Sequence, residues 1–159
     1  MIAPPQDVID TATRAASLST CRKSHRGVVI FNTSKRSSRF IGWNHPPTHF
    51  ACDGSDECRA HCNKLCVHAE VEALKSFLQA DPNRGGWWEL LHVKVVEGVV
   101  VPSGPPSCWQ CSREILDIDD LTHVWLLHED GWRRYTSVEF HELTLVHNGL
   151  PVIRSKETP

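Results

Sequence analysis

The chain has 159 residues, 40% hydrophobic and 23% charged, with a formal net charge of -2. That length suits one domain rather than two, and folding can bury roughly 70% of the unfolded surface without disulfide staples. The near-neutral balance excludes a general attraction to nucleic acid, and no apolar run approaches the ~18 residues of a membrane span.

The N-terminal stretch lacks the basic and apolar blocks of a signal peptide, so a cytoplasmic location is expected. In that reducing setting an odd set of seven cysteines points to metal binding or catalysis rather than to disulfides. Positive charge is local, at Arg22, Lys23 and Arg26 and again at Lys35, Arg36 and Arg39. Those clusters read either as a solvated loop and strand edge or as a docking site for one phosphate.

In chain order, Val8, Ile9, Ala12, Ala15 and Ala16 give residues 6–19 a helical spacing after Pro4 and Pro5. "GVVIF" (27–31) and "SSRFIGWN" (37–44) read as two strands, joined as a hairpin by "NTSKR". Residues 45–65 read as irregular. From His68 the spacing of Val71, Leu74, Phe77 and Leu78 is helical, and "DPNRGG" ends it. Residues 90–102 are strand-rich, with a hairpin-like kink at Glu97 and Gly98.

"SGPPSCWQC" is a turn leading into a helix from Cys111 to about Ile118. Residues 122–129 form another strand, with Trp125 in the core and Trp132 and Tyr135 in the following turn. Residues 137–150 read as a helix with Ser137 as N-cap and Gly149 just past its end. Residues 151–159 read as a flexible tail after a single domain spanning 1–150. The alternation α, β-hairpin, α, β, α, β, α predicts a three-layer α/β domain with a mixed sheet.

The chemistry concentrates in two short motifs, "HAE" at 68–70 and "CWQC" at 108–111. His68, Cys108 and Cys111 would supply the three ligands of a catalytic zinc site with its fourth position open. Both segments enter helices, whose free N–H groups favour thiolate over thiol. Cys108 and Cys111, at i and i+3, share a helical face. Zinc lowers the pKa of its bound water to ~7, and Glu70 beside it can carry that proton to a ring nitrogen and a leaving amine. His-x-Glu followed by Cys-x-x-Cys is the signature of zinc-dependent nucleobase deaminases. Taken alone, "CWQC" would also suit a redox pair, and a closed structural zinc would need a fourth ligand such as Cys66.

Beyond those motifs, "LSTCRKSHRGVVIF" (18–31) and "GWN" followed by Pro46 and Pro47 complete a resemblance. The chain resembles the cytidine deaminase-like superfamily and, within it, the deoxycytidylate (dCMP) deaminase branch, over residues 18–118. The resemblance implies a three-layer α/β/α cytidine deaminase-like fold with a mixed central sheet of about five strands. It implies zinc on His68, Cys108 and Cys111, with Glu70 as proton shuttle. Asn44 would contact the sugar or base, Ala69 would offer its backbone N–H to the pyrimidine, and Arg22 and Arg26 are candidates for the 5′-phosphate. A homo-oligomer, dimer or hexamer, is also implied.

Departures from the branch are Glu72, where asparagine is common, Ser107 before Cys108, and the Trp-rich stretch at Trp87 and Trp88. A second group, Cys52, Cys58, His61, Cys62 and Cys66, could hold a structural zinc, or could be free thiols that behave as small apolar residues. The function so implied is hydrolytic deamination of a cytosine nucleotide, dCMP to dUMP, with no membrane partner. The alternatives are deamination of cytosine or adenine in single-stranded DNA or RNA, and a non-catalytic zinc-stabilised binding module. The first alternative needs a charged track and aromatic platforms, which the modest charge disfavours.

Overall fold

The computed structural model describes residues 2–35, 37–80 and 85–152, with the side chains of residues 63 and 64 outside the description. Its elements are α1 (Gln6–Ser17), β1 (His25–Phe31), β2 (Arg39–Trp43), α2 (Asp56–Leu65), α3 (Ala69–Gln79), β3 (Trp88–Val96), β4 (Val99–Val101), α4 (Trp109–Leu116), β5 (Leu121–His128), β6 (Gly131–Thr136) and α5 (Ser137–His147). The strands form one sheet in the order β2-β1-β3-β5-β6, with β4 paired to β3. Every pairing is antiparallel except β3 with β5. The connection of that parallel pair carries a helix, α4, as a parallel crossover requires.

Period-two alternation divides the sheet between two cores. Val29 and Phe31 of β1 and Leu91, Val93 and Val95 of β3 face α1, where Val8, Ala12 and Ala16 cover them. Val28, Ile30, Trp88, Leu90, Val124 and Leu126 face the other layer and pack on Leu74 and Phe77 of α3, Ile115 of α4 and Phe140 of α5. The result is the three-layer mixed α/β architecture that the element order predicts.

Three local expectations need correction. Residues 56–65 are not irregular but form α2. Ser55 caps it by accepting the Cys58 N–H at 3.1 Å, and Asp56 and Glu57 sit in its first turn, where acidic side chains suit the helix dipole. Trp132 and Tyr135 belong to β6, which returns antiparallel along β5 after the turn at Glu129 and Asp130. The N-cap of α5 is Thr136 rather than Ser137. Its Oγ1 accepts the Glu139 N–H at 3.1 Å, and Glu139 Oε2 accepts the Thr136 N–H at 2.8 Å, a capping box.

The expected kink at Glu97 and Gly98 is a two-residue turn with φ of 50° and 80°, which joins β3 to β4. Arg36, residues 81–84 of the expected helix stop and residues 153–159 of the expected tail lie outside the described residues.

An ion pair fastens the α1-side face. Glu89 of β3 accepts Arg134 Nε and Nη2 at 3.0 and 2.8 Å and also the Trp125 indole N–H. Burial pushes the Glu89 carboxyl up, but Arg134 and Trp125 outweigh it and hold it below the usual carboxylate range. A depressed folded-state pKa stabilises above the unfolded value, ~4.3, and the gain is lost as pH falls through the folded value. Glu89→Gln should therefore be less stable than wild type at pH 7, with the gap closing as pH falls below ~4.3 and through the folded value, as read by thermal midpoints across that range. A constant gap at all pH values would contradict this.

Candidate active site

Helices α3 and α4 both begin at the rim of one pocket. His68 is the N-cap of α3 and Cys108 the N-cap of α4. Cys108 Sγ accepts the Cys111 N–H at 3.3 Å, so the thiol that starts the helix also terminates its hydrogen bonding. This brings His68 Nδ1 to 3.3 Å from Cys111 Sγ, and Cys108 Sγ to 2.9 Å from Cys111 Sγ. The three donor atoms lie within 4.8 Å of one another.

A tetrahedral zinc with bonds of ~2.3 Å to sulfur and ~2.0 Å to nitrogen spaces its ligand atoms roughly 3.5–3.8 Å apart. The set fits that ion in kind and approach, with the two sulfurs needing to part by less than ~1 Å. Hydrogen bonding from Cys111 leads the causes that lower Cys108 to about 5, with His68 adding to it against burial. The same Cys108 contact, with burial, pushes the Cys111 thiol up.

Glu70 lies in the first turn of α3, one residue beyond Ala69, with only 12% of its side chain exposed. It lines the same pocket as His68, Cys108 and Cys111. Burial pushes its carboxyl up, but His92, His68, its own backbone N–H and Arg26 together hold it below the ordinary value. His92 is a site residue that sequence reasoning missed. It stands opposite Val28 in the sheet register, on the α3 face, with Nδ1 3.9 Å from Glu70 Oε1. Burial pushes it down to about 4, so at neutral pH its ring is uncharged. A signal for it existed: a polar residue two positions after Leu90, on the buried face of "LLHVKVV".

Among the residues suggested for substrate, Asn44, Ala69 and Arg26 line this pocket, as does Lys23. Asn44 is buried, and its amide is partly committed: Oδ1 accepts the Arg26 N–H at 2.7 Å and Nδ2 donates to Ser24 C=O at 2.8 Å. The Arg26 guanidinium donates to Ser103 C=O at 3.2 Å. Arg22 lies elsewhere, with its N–H on Cys52 Sγ at 3.2 Å and Nη1 on Asp53 C=O at 3.4 Å. Trp109 is also outside the pocket lining, exposed with Arg113 over its ring at 5.6 Å.

Gly42 explains why a small residue stands in the "GWN" stretch. A Cβ there would meet Ala69 C=O at 2.1 Å and Ala73 N at 2.4 Å. Its absence lets β2 lie directly against the first turns of α3, which sets Asn44 beside the HAE segment. Glu72 reinforces the same join. Its Oε1 lies 2.7 Å from Lys75 Nζ and 3.4 Å from His45 Nε2, and His45 forms a backbone bridge with Val67.

The second cysteine group does not converge as one set. Cys52 and Cys58 lie 3.4 Å apart, Cys52 also neighbours Cys21, and His61 is exposed on α2. Cys62 and Cys66 are joined instead by Cys21, from the loop before β1. Cys21–Cys62 is 3.7 Å and Cys62–Cys66 3.4 Å. Those spacings are close to the ~3.8 Å edge of a zinc tetrahedron built from sulfur. Burial and the neighbouring thiols push Cys66 up to about 12. Because Cys66 belongs to this group, no fourth Cys, His, Asp or Glu closes the His68 group among the described residues. No helix among them is long and apolar enough to cross a membrane.

No family model matches the chain, and no curated protein matches its sequence. Solved structures do match. The cytidine deaminase of Burkholderia pseudomallei is 20% identical, with 87% of this chain and 96% of that one covered and a TM-score of 0.60. The dCMP deaminase of cyanophage S-TIM5, in complex with dCMP and dUMP, is 22% identical over 78% of this chain and 82% of that one, with a TM-score of 0.56. The apo form of that enzyme is 22% identical over 75% and 78%, with a TM-score of 0.52. At such identities the likeness is one of fold. The chain has the cytidine deaminase-like fold, with two Cys/His groups able to hold metal.

Proposed function

We propose that the protein is a zinc-dependent deaminase of cytosine nucleotides, converting dCMP to dUMP with release of ammonia. The observation that carries this reading is the convergence of His68, Cys108 and Cys111 beside the largely enclosed Glu70 in one pocket. Bound by that triad, zinc would supply a water with a pKa near ~7, hence a nucleophile at neutral pH.

Glu70 accepts a proton from the attacking water, delivers it to ring N3, and passes a proton to the departing amine. Its side chain is only 12% exposed, and neutral His92 borders it without competing as an acid. Ala69, in the first turn of α3, has an N–H that no intrahelical acceptor takes, which suits it to the pyrimidine. Asn44 keeps one N–H and one lone pair for sugar or base. Arg26 and Lys23 give the pocket the positive side that a 5′-phosphate suits, and assembly into a dimer or hexamer belongs to the same reading.

An ammonia-release screen over cytosine, cytidine, deoxycytidine, dCMP, dCTP and a cytosine-containing oligonucleotide tests the function. The greatest kcat/KM is expected for dCMP. Release from the oligonucleotide alone would replace the substrate, and none from any compound would leave a binding module.

Cys21, Cys62 and Cys66 are proposed to hold a second, structural zinc that ties α2 to the loop before β1. Metal content should then be near two per chain in the wild type and near one in Cys21→Ser, with ammonia release from dCMP retained. A wild-type ratio near one sinks the second site.

A further inference from the structure

Glu70 is held less firmly than its task requires. Among the described residues no side chain hydrogen-bonds its carboxylate, and its one backbone partner is its own N–H. Arg26, in the same pocket, turns its guanidinium to Ser103 C=O at 3.2 Å. Yet a proton shuttle has to meet a water, a ring nitrogen and an amine in turn, and small misplacements of such a group are costly to the rate.

The group that faces Glu70 from the sheet is His92 of β3. The α3-facing positions before it on that strand are Trp88 and Leu90, both buried and apolar, and another apolar side chain would continue that core. The imidazole makes no hydrogen bond among the described residues, and its charged neighbour is Glu70, with Nδ1 3.9 Å from Oε1. Nor is the ring sealed away: 14% of its side chain is exposed, and it lines the pocket. A polar ring so placed works against folding unless a partner takes its N–H.

The gap exceeds a hydrogen bond by roughly 1 Å, and contacts between catalytic groups commonly tighten once a site is filled. We infer that His92 is a positioning residue, whose Nδ1–H donates to Glu70 Oε1 and holds the carboxylate toward the open side of His68, Cys108 and Cys111. An uncharged ring suits that role. A permanent cation in its place would also hold the carboxylate, but would make it a poorer base. His92 acts through Glu70, so its loss should slow turnover and leave binding alone. This role rests on the proposed function; the juxtaposition of His92 and Glu70 does not.

Steady-state kinetics of ammonia release from dCMP by zinc-loaded wild type, His92→Leu and His92→Asn test this. The product dUMP, which is not turned over, reads binding as a competitive inhibitor. Leucine fills the space without a donor, whereas asparagine restores an N–H close to the imidazole's. His92→Leu should lose about 10- to 100-fold in kcat, with KM and the dUMP Ki within about 2-fold of wild type. Its zinc content should be unchanged and its thermal midpoint level with wild type or higher. His92→Asn should turn over at least about 5-fold faster than His92→Leu.

A kcat within about 2-fold of wild type in His92→Leu overturns the role and leaves the function standing. A weaker dUMP Ki with kcat intact makes His92 a substrate contact and also overturns it. Equal losses in the leucine and asparagine variants do the same, since shape rather than the hydrogen bond would then matter. Loss of zinc, or a midpoint several degrees lower, makes the histidine structural and overturns its positioning role. A wild type that releases ammonia from none of the screened compounds overturns the proposed function together with this role.

Discussion

Glu70→Ala is expected to fold, to keep its zinc, and to release ammonia from dCMP at least about 10³-fold more slowly than wild type. The separation of metal binding from turnover follows from the geometry. Glu70 is not among the three converging donors, so its loss leaves His68, Cys108 and Cys111 in place. Alanine is the best helix former, so α3 is not weakened by the change itself. On the proposed mechanism, what disappears is the carrier between the attacking water, N3 and the leaving amine. Glu70→Gln should fail as badly, because an amide of the same shape cannot take up and return a proton. Elemental analysis alongside a coupled ammonia assay reads both quantities. Turnover within tenfold of wild type would remove Glu70 from the mechanism, and loss of the metal would make it a ligand.

Gly42→Ala should cost about 3 kcal/mol or more, lowering the thermal midpoint by roughly 6–12 °C. The added Cβ would sit 2.1 Å from Ala69 C=O and 2.4 Å from Ala73 N, both backbone atoms of α3. Backbone cannot rotate aside as a side chain does, so the helix must lift from β2. Lifting it disturbs Leu74 and Phe77 in the core and, at its first turn, His68 and Glu70. Zinc affinity should therefore fall together with stability. Gly98→Ala is the control. It has a φ of 80° but nothing within 4 Å of the new Cβ, so it pays only for backbone conformation, about 1 kcal/mol. Comparable losses at the two positions would mean that the contact with α3 yields easily.

The meeting of His68, Cys108 and Cys111 was legible because its motifs are written locally. "HAE" and "CWQC" each hold their spacing within one helical turn, and helix starts are marked by short-range signals. The same locality explains what was not legible. Helix α2 carries no apolar stripe to betray its period, since of its described side chains only Cys62 is buried. Strand β6 interleaves glycine, arginine and aromatic residues, which periodicity cannot separate from a turn. Cys21 meets Cys62 across 41 residues, and His92 meets Glu70 only because β3 pairs with β1 in one register. The resemblance located the pocket, but which basic residue enters it depended on the fold: Arg26 lines it and Arg22 does not.

The alternation of β1 and β3 has a consequence for anyone wishing to alter this protein. Along β3, His92 borders the shuttle while Val93, its next neighbour, belongs to the α1 core. Residues adjacent in the gene thus belong to different layers, odd positions to the α1 core and even ones to the core under α3, α4 and α5, with Arg26 and His92 the even positions that line the pocket. A library that randomises a contiguous block would mix the two and lose folded members for each gain in activity. Libraries confined to Arg26 and His92, with the core positions on both faces held constant, should reshape the pocket on an undamaged scaffold.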